Sequence, residues 1–219
     1  MKELVQRVLL LWKNLKEIIS MKRILIYGAG GNGEVCADIA KKNGYEEILF
    51  FDDNKEINKI GNYDAIHNLN DINENEYVFF NAIGDNKTRE LVTNRMNKKL
   101  VSLIHPTAVI GENITIGEGC VVMANAVINP GCRIGDGVII NTCSSIDHDS
   151  IIGNYSHISV NAHLAGNVHI GERVLAGINS TIINNINICS DTVIGASSTV
   201  VDNINKHGTY IGTPAKLLK

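Results

Sequence analysis

The chain has 219 residues, 44% of them hydrophobic, and a formal net charge of −3, enough apolar material for one large or two small cores. Lys and Arg are dispersed along a nearly neutral chain, which excludes the basic face that a phosphate backbone requires, so nucleic acid is not an expected partner. The five cysteines, Cys36, Cys120, Cys132, Cys143 and Cys189, form no CxxC pair and no secreted-framework spacing, which argues for free thiols in a cytoplasmic protein.

Residues 1–20, MKELVQRVLLLWKNLKEIIS, place Leu4, Val8, Leu11, Leu15 and Ile18 at helical spacing among Lys2, Arg7, Lys13 and Lys16, predicting an amphipathic helix. Its apolar run VLLLW is too short to span a bilayer, and no small-residue cleavage site follows it. Packing on the protein itself, or an extension ahead of a start at Met21, is expected before contact with a membrane surface.

Residues 21–103 read as strand, glycine turn, helix and strand. The apolar ILIY runs into GAGGNG (Gly28 to Gly33), then EVCADIAKKNG, then ILFF ending in Asp52 and Asp53. Such a turn lets a diphosphate approach the backbone and the free N–H groups of a helix N-terminus, while the acid can accept from a ribose or base. The fingerprint suggests a dinucleotide such as NAD. About eighty residues, with further strands near Tyr77 to Ile83 and Leu100 to Ile104, hold only one mononucleotide-binding half, so one nucleotide diphosphate fits the length better. Glycines that serve packing alone are the other reading.

Residues 104–205 are a repeat. From Ile104, steps of six reach Ile110, Ile116, Val122, Ile128 and onward to Val200, and all seventeen positions are aliphatic. Glycine often follows directly, and the fourth residue on is always Ala, Cys, Ser, Thr, Val or Ile. Short strands with one inward aliphatic per hexad predict a parallel β-helix. Cys120 and Cys132 hold small-residue positions, which gives them a packing role. Residues 206–219 are read as a tail whose GTPAK, Gly212 to Lys216, either caps the last coil or adds to a ligand site.

The most chemically loaded hexad is IDHDSI, Ile146 to Ile151. With Ile146 inward, Asp147, His148 and Asp149 run through the turn. A neutral imidazole held by a carboxylate on its other nitrogen can remove a proton from a nucleophile. His148 is the expected base. The residues themselves permit either Asp147 or Asp149 as its partner, or a solvated turn triplet with no chemistry. His157, His163 and His169 recur six apart, a spacing that invites a metal-site reading.

GAGGNG, FFDD, AIGDN, the uninterrupted hexads and GTPAK together resemble the hexapeptide-repeat acyltransferases. They are most similar to the bacterial N-acetyltransferases of nucleotide-linked 4-amino sugars, of the bacillosamine-pathway type, which are related to the sialic acid O-acetyltransferases. The likeness runs from Met21 to the C-terminus and is closest over NTCSSIDHDSIIGNYSHISV and AGNVHIG. It implies a left-handed triangular β-helix behind a Rossmann-like domain, an all-β domain after an α/β one, and a homotrimer with sites between neighbouring prisms. It also implies transfer of acetyl from acetyl-coenzyme A, with no metal, to the 4-amino group of a nucleotide-linked amino sugar, a UDP sugar being expected. Carried over by position, Asp149 is the partner of His148. The coenzyme falls to His157, Ile178 and Ala196, and the nucleotide sugar to Gly30, Gly31, Asn32, Asp52, Asp53 and Gly84. Relatives often carry histidine where this chain has Asn32, which cannot become cationic and so changes one contact. A sugar O-acetyltransferase, and a non-catalytic or NAD-binding module, are the alternatives.

Overall fold

Arg23–Tyr27 (β1) enters the glycine turn, and the computed structural model, which describes residues 22–218, continues it into the helix Gly31–Lys42 (α1). The expected helix at 1–20, with its membrane contact, lies outside the described residues. Next come Glu47–Phe51 (β2), a hairpin of Lys59–Ile60 (β3) and Tyr63–Ile66 (β4), Val78–Asn81 (β5) and the helix Asn86–Met96 (α2). The sheet order is β3-β4-β2-β1-β5, parallel except for β3. Both central strands are buried on two faces, as their unbroken apolar runs require. Gly33 lets α1 start close to the sheet, since a Cβ there would lie 2.1 Å from the Gly28 carbonyl oxygen. Asp85 caps α2 by accepting from Thr88 N–H.

From Leu103–Ile104 the chain forms two-residue strands, one per hexad, the second residue of each being the predicted aliphatic. Strands eighteen residues apart pair in parallel, as Val127 with Ser145 and Ile139 with His157, and the coil winds left-handed, the exception to the usual crossover hand. Three flat faces result. The docking face carries Leu103, Val121, Ile139 and His157 at its outward positions, the second face carries Ser145 and His163, and the third carries Ile151 and His169. Ile128, Ile140, Ile146, Ile158 and Ile182 stack fully buried within, beside Cys120, Cys132 and Ser150 at the small positions. One residue in every six from Asn113 to Ser197 takes φ between +54° and +80°. Asn, Asp and Gly tolerate this left-handed turn best, and eleven of these fifteen positions carry one of them.

The small domain sits on the docking face. Leu103, Val121 and Ile139 pack with Cys36, Ile39 and Ala40 of α1 in one apolar cluster. At the other end the sequence boundary is moved. Thr209–Ile211 pairs in parallel with Val193–Ile194, and Lys216–Leu217 returns beside it, so the last residues extend the docking-face sheet. Within GTPAK, Gly212 O accepts from Thr199 N–H and Ala215 N–H donates to Thr199 O, seating the segment on the final coil as its cap.

Candidate active site

The predicted nucleotide-sugar residues gather at the carboxyl ends of β1, β2 and β5, the edge where open α/β sheets bind ligands. Gly30 is the residue before α1 and has φ −101°. Among the described residues, a Cβ added to Gly30, Gly31 or Gly84 would meet nothing within 4 Å. Packing within the chain therefore does not demand these glycines, unlike Gly33; they border open space. The two acids do different work. Asp52 receives Ala29 N–H on one oxygen at 2.7 Å and Asn54 N–H on the other at 2.9 Å, bracing the glycine turn. Asp53 accepts from the Tyr27 hydroxyl and from Arg95 at 2.9 Å, and these bonds, Tyr27 first, hold its carboxyl below the ordinary range. Asn32 donates from Nδ2 to Ala82 O at 2.8 Å, tying the first turn of α1 to the end of β5.

His148 stands exposed on the vertex between the second and third faces. Asp149, in the left-handed turn position with φ +58°, brings Oδ2 to 2.9 Å from His148 Nδ1. Asp147 is engaged elsewhere, its Oδ1 accepting from His148 N–H at 2.8 Å and from Asn129 Nδ2 at 2.7 Å. Of the two candidates, Asp149 is thus the acid on the ring. That bond first, and the Asp147 charge second, raise the imidazole above its usual pKa. With Nδ1–H donating to Asp149, Nε2 is left with its lone pair.

His157 lies on the docking face, opposite the His148 vertex. Asn141 Oδ1 accepts from Thr142 N–H at 2.8 Å, which turns Asn141 Nδ2 towards His157 Nε2 at 3.0 Å. Nε2 accepts, so Nδ1 carries the proton. Burial first, then the nearby Arg89 cation, push this histidine down to about 4, so it is neutral at physiological pH. His157 and Gly84 line one cavity of about 210 Å³ with Asn86, Leu175 and Val193. Ile178 and Ala196 lie eighteen residues apart on the third vertex, between the docking and second faces, both exposed. His163 bonds Ser145 through Nδ1 at 2.8 Å, and His169 faces solvent on the third face. Among the described residues no group of three or more His, Cys, Asp or Glu side chains is arranged to hold a metal ion, and no helix is long and apolar enough to cross a membrane.

Arg89 is the residue that sequence reasoning missed. Only 1% exposed, it donates to Gly137 O and Tyr155 O of the prism and to Ile83 O, Gly84 O and Asn86 Oδ1 of the small domain, at 2.7 to 3.0 Å. It fixes the AIGDN loop against the vertex between the third and docking faces. An arginine midway along a polar helix carries no signal of this.

The chain matches the model of the PglD N-terminal domain over residues 23–96 and that of the bacterial transferase hexapeptide (six repeats) over residues 113–148. It is 31% identical over 114 residues to UDP-N-acetylbacillosamine N-acetyltransferase of Bacillus subtilis (strain 168). That match covers 48% of this chain and 52% of the relative, so the chain spans about half the length of the curated relative. Among solved structures, the acetyltransferase domain of PglB from Neisseria gonorrhoeae FA1090 is 34% identical, with a TM-score of 0.85 over 90% of this chain and 100% of that one. The same domain in complex with acetyl coenzyme A superposes equally well, at 35% identity over 90% and 99% of the two chains. PerB from Caulobacter crescentus, in complex with CoA and GDP-perosamine, is 32% identical, with a TM-score of 0.83 over 90% and 97%.

Proposed function

The chain belongs to the hexapeptide-repeat acetyltransferases that carry a PglD N-terminal domain, and from that membership we propose that it transfers acetyl from acetyl-coenzyme A to the 4-amino group of a nucleotide-linked amino sugar. The observation that carries this reading is the pairing of a His148–Asp149 dyad, its Nε2 free to accept a proton, with glycines bordering open space at the ligand edge of the small domain. Gly30, Gly31 and Gly84 receive the nucleotide, and Asp52 and Asp53 hold the surrounding turn in shape. Asn32, neutral and bonded to Ala82 O, presents its remaining oxygen where a histidine would present a cation. The amine nitrogen attacks the thioester carbonyl as His148 Nε2 removes its proton; the C–N bond forms, the C–S bond breaks, and the proton passes to the departing coenzyme sulfur. Asp149 stabilises the imidazolium in between. Neutral His157 donates from Nδ1 to the coenzyme, whose arm runs by Ile178 and Ala196.

Within one chain these groups do not converge. His148 is on the vertex opposite the face that bears His157, and Ile178 is on another vertex. We infer a homotrimer in which each site joins the His148 vertex of one prism to the docking face of its neighbour. Use of acetyl-coenzyme A and buried free thiols supports a cytoplasmic location.

Incubation with acetyl-coenzyme A and UDP- or GDP-linked 4-amino sugars tests the reading. The expected result is release of coenzyme A with one acetyl group on the sugar nitrogen, located by mass spectrometry and NMR. Acetylation of a hydroxyl on a sialic acid would favour the O-acetyltransferase alternative, and tight NAD binding without transfer would favour the nucleotide-binding module.

A further inference from the structure

We propose that Gly166 is a positioning residue that acts through His148, its missing side chain providing the space in which the imidazole lies against the next coil. The inference rests on the reading of His148 as the base. Gly166 is eighteen residues beyond His148 and therefore directly above it in the stack, with Asn167 N–H donating to His148 O at 2.8 Å. A Cβ on Gly166 would stand 2.5 Å from His148 Nε2, the nitrogen that takes the proton, and 2.7 Å from Cε1. The backbone gives no other reason for glycine, because the φ of Gly166 is outside the left-handed region. The fifteen turn positions in this phase, one in six from Glu112 to Ala196, carry a single glycine, and it falls above His148. The coil below matches. A Cβ on Gly131 would stand 2.5 Å from Asp149 Oδ1, although Asn, Asp, Cys, Tyr, Arg and Ser fill the same turn position elsewhere. Ring and carboxylate thus occupy a slot whose floor and roof both lack side chains, and that slot fixes their alignment.

Gly166→Ala keeps the backbone N–H and the conformation, and what it meets is the tip of an exposed ring. The expected variant melts like the parent and keeps its KM for acetyl-coenzyme A, but loses about ten- to a hundredfold in kcat, the scale of a misplacement near 1 Å. The acid limb of kcat/KM moves to lower pH, because Asp149 no longer raises the ring's pKa. In a His148→Ala background Gly166→Ala adds less than about twofold, since two residues acting as one unit are not additive. Parental kcat and pH profile in Gly166→Ala, with His148→Ala inactive, would overturn this inference and leave the base standing. A full additional loss in the double variant, or a fall in melting temperature that persists there with the ring removed, would overturn it by placing Gly166 in substrate contact or in the scaffold. His148→Ala at the parental rate would overturn both readings.

Discussion

His148→Ala is expected to lower kcat by about a hundredfold or more, the usual scale for removal of a general base, with the fold, assembly and acetyl-coenzyme A affinity intact. The structure separates these effects. The ring is exposed and, among the described residues, its one side-chain partner is Asp149, while the coil is held at this position by backbone bonds, Asp149 N–H to Pro130 O and Asn167 N–H to His148 O. Removing the imidazole thus opens no cavity and orphans no buried group. Steady-state kinetics at neutral pH, with light scattering and melting curves on the same preparation, provide the check. Near-normal turnover would mean that the amine arrives deprotonated or that another group takes its proton, and a lost assembly would place His148 in the scaffold.

Arg89→Met carries the largest expected stability effect, a loss of about 3 kcal/mol or more, because a buried donor shared among several carbonyls disappears and each orphaned acceptor costs about 1 to 3 kcal/mol. Burial pushes the guanidinium down only to about 10, so it is charged at neutral pH, and its bonded acceptors among the described residues are carbonyl and amide oxygens, with no carboxylate. Methionine fills much of the volume but leaves Gly137 O, Tyr155 O, Ile83 O and Gly84 O without their donor. Since Gly84 borders the ligand edge, KM for the acceptor should rise in the same variant. Denaturant unfolding measures the first effect and kinetics the second. A parental midpoint would show that the apolar contact of α1 with the docking face suffices to hold the two domains together.

The prism was legible in the sequence because its rule is local. One inward aliphatic per hexad names each strand, and all seventeen, Ile104 to Val200, fall at the second residue of a strand. The left-handed turn residues follow a preference equally local, Asn, Asp or Gly at eleven of fifteen positions six apart, though nothing in a propensity for strands points to it. The glycines after the inward aliphatics have a cause that only stacking reveals, as a Cβ on Gly153 would lie 2.5 Å from the backbone of Gly171 one coil above. The choice of Asp149 over Asp147 was legible only through the family resemblance, not from the residues themselves. Both flank the histidine, and only the positive φ of Asp149 and the bond from Asn129 to Asp147 separate their roles. Arg89 and Gly166 act on residues 48 and 18 positions away, distances at which a single sequence carries no pairing information.

A site shared between chains is tested most directly by mixed assemblies. His148→Ala and His157→Ala chains, each first assayed alone and expected to be inactive, are unfolded together, refolded as a mixture and assayed for acetyl transfer to the nucleotide-linked amino sugar. If the base on a vertex of one prism serves the docking face of its neighbour, some sites in the mixture draw an intact His148 from one chain and an intact His157 from another, and activity returns. If both histidines of each site came from the same chain, every site would lack one of them, and a mixture confirmed by mass spectrometry to contain hetero-assemblies would stay as inactive as its parents.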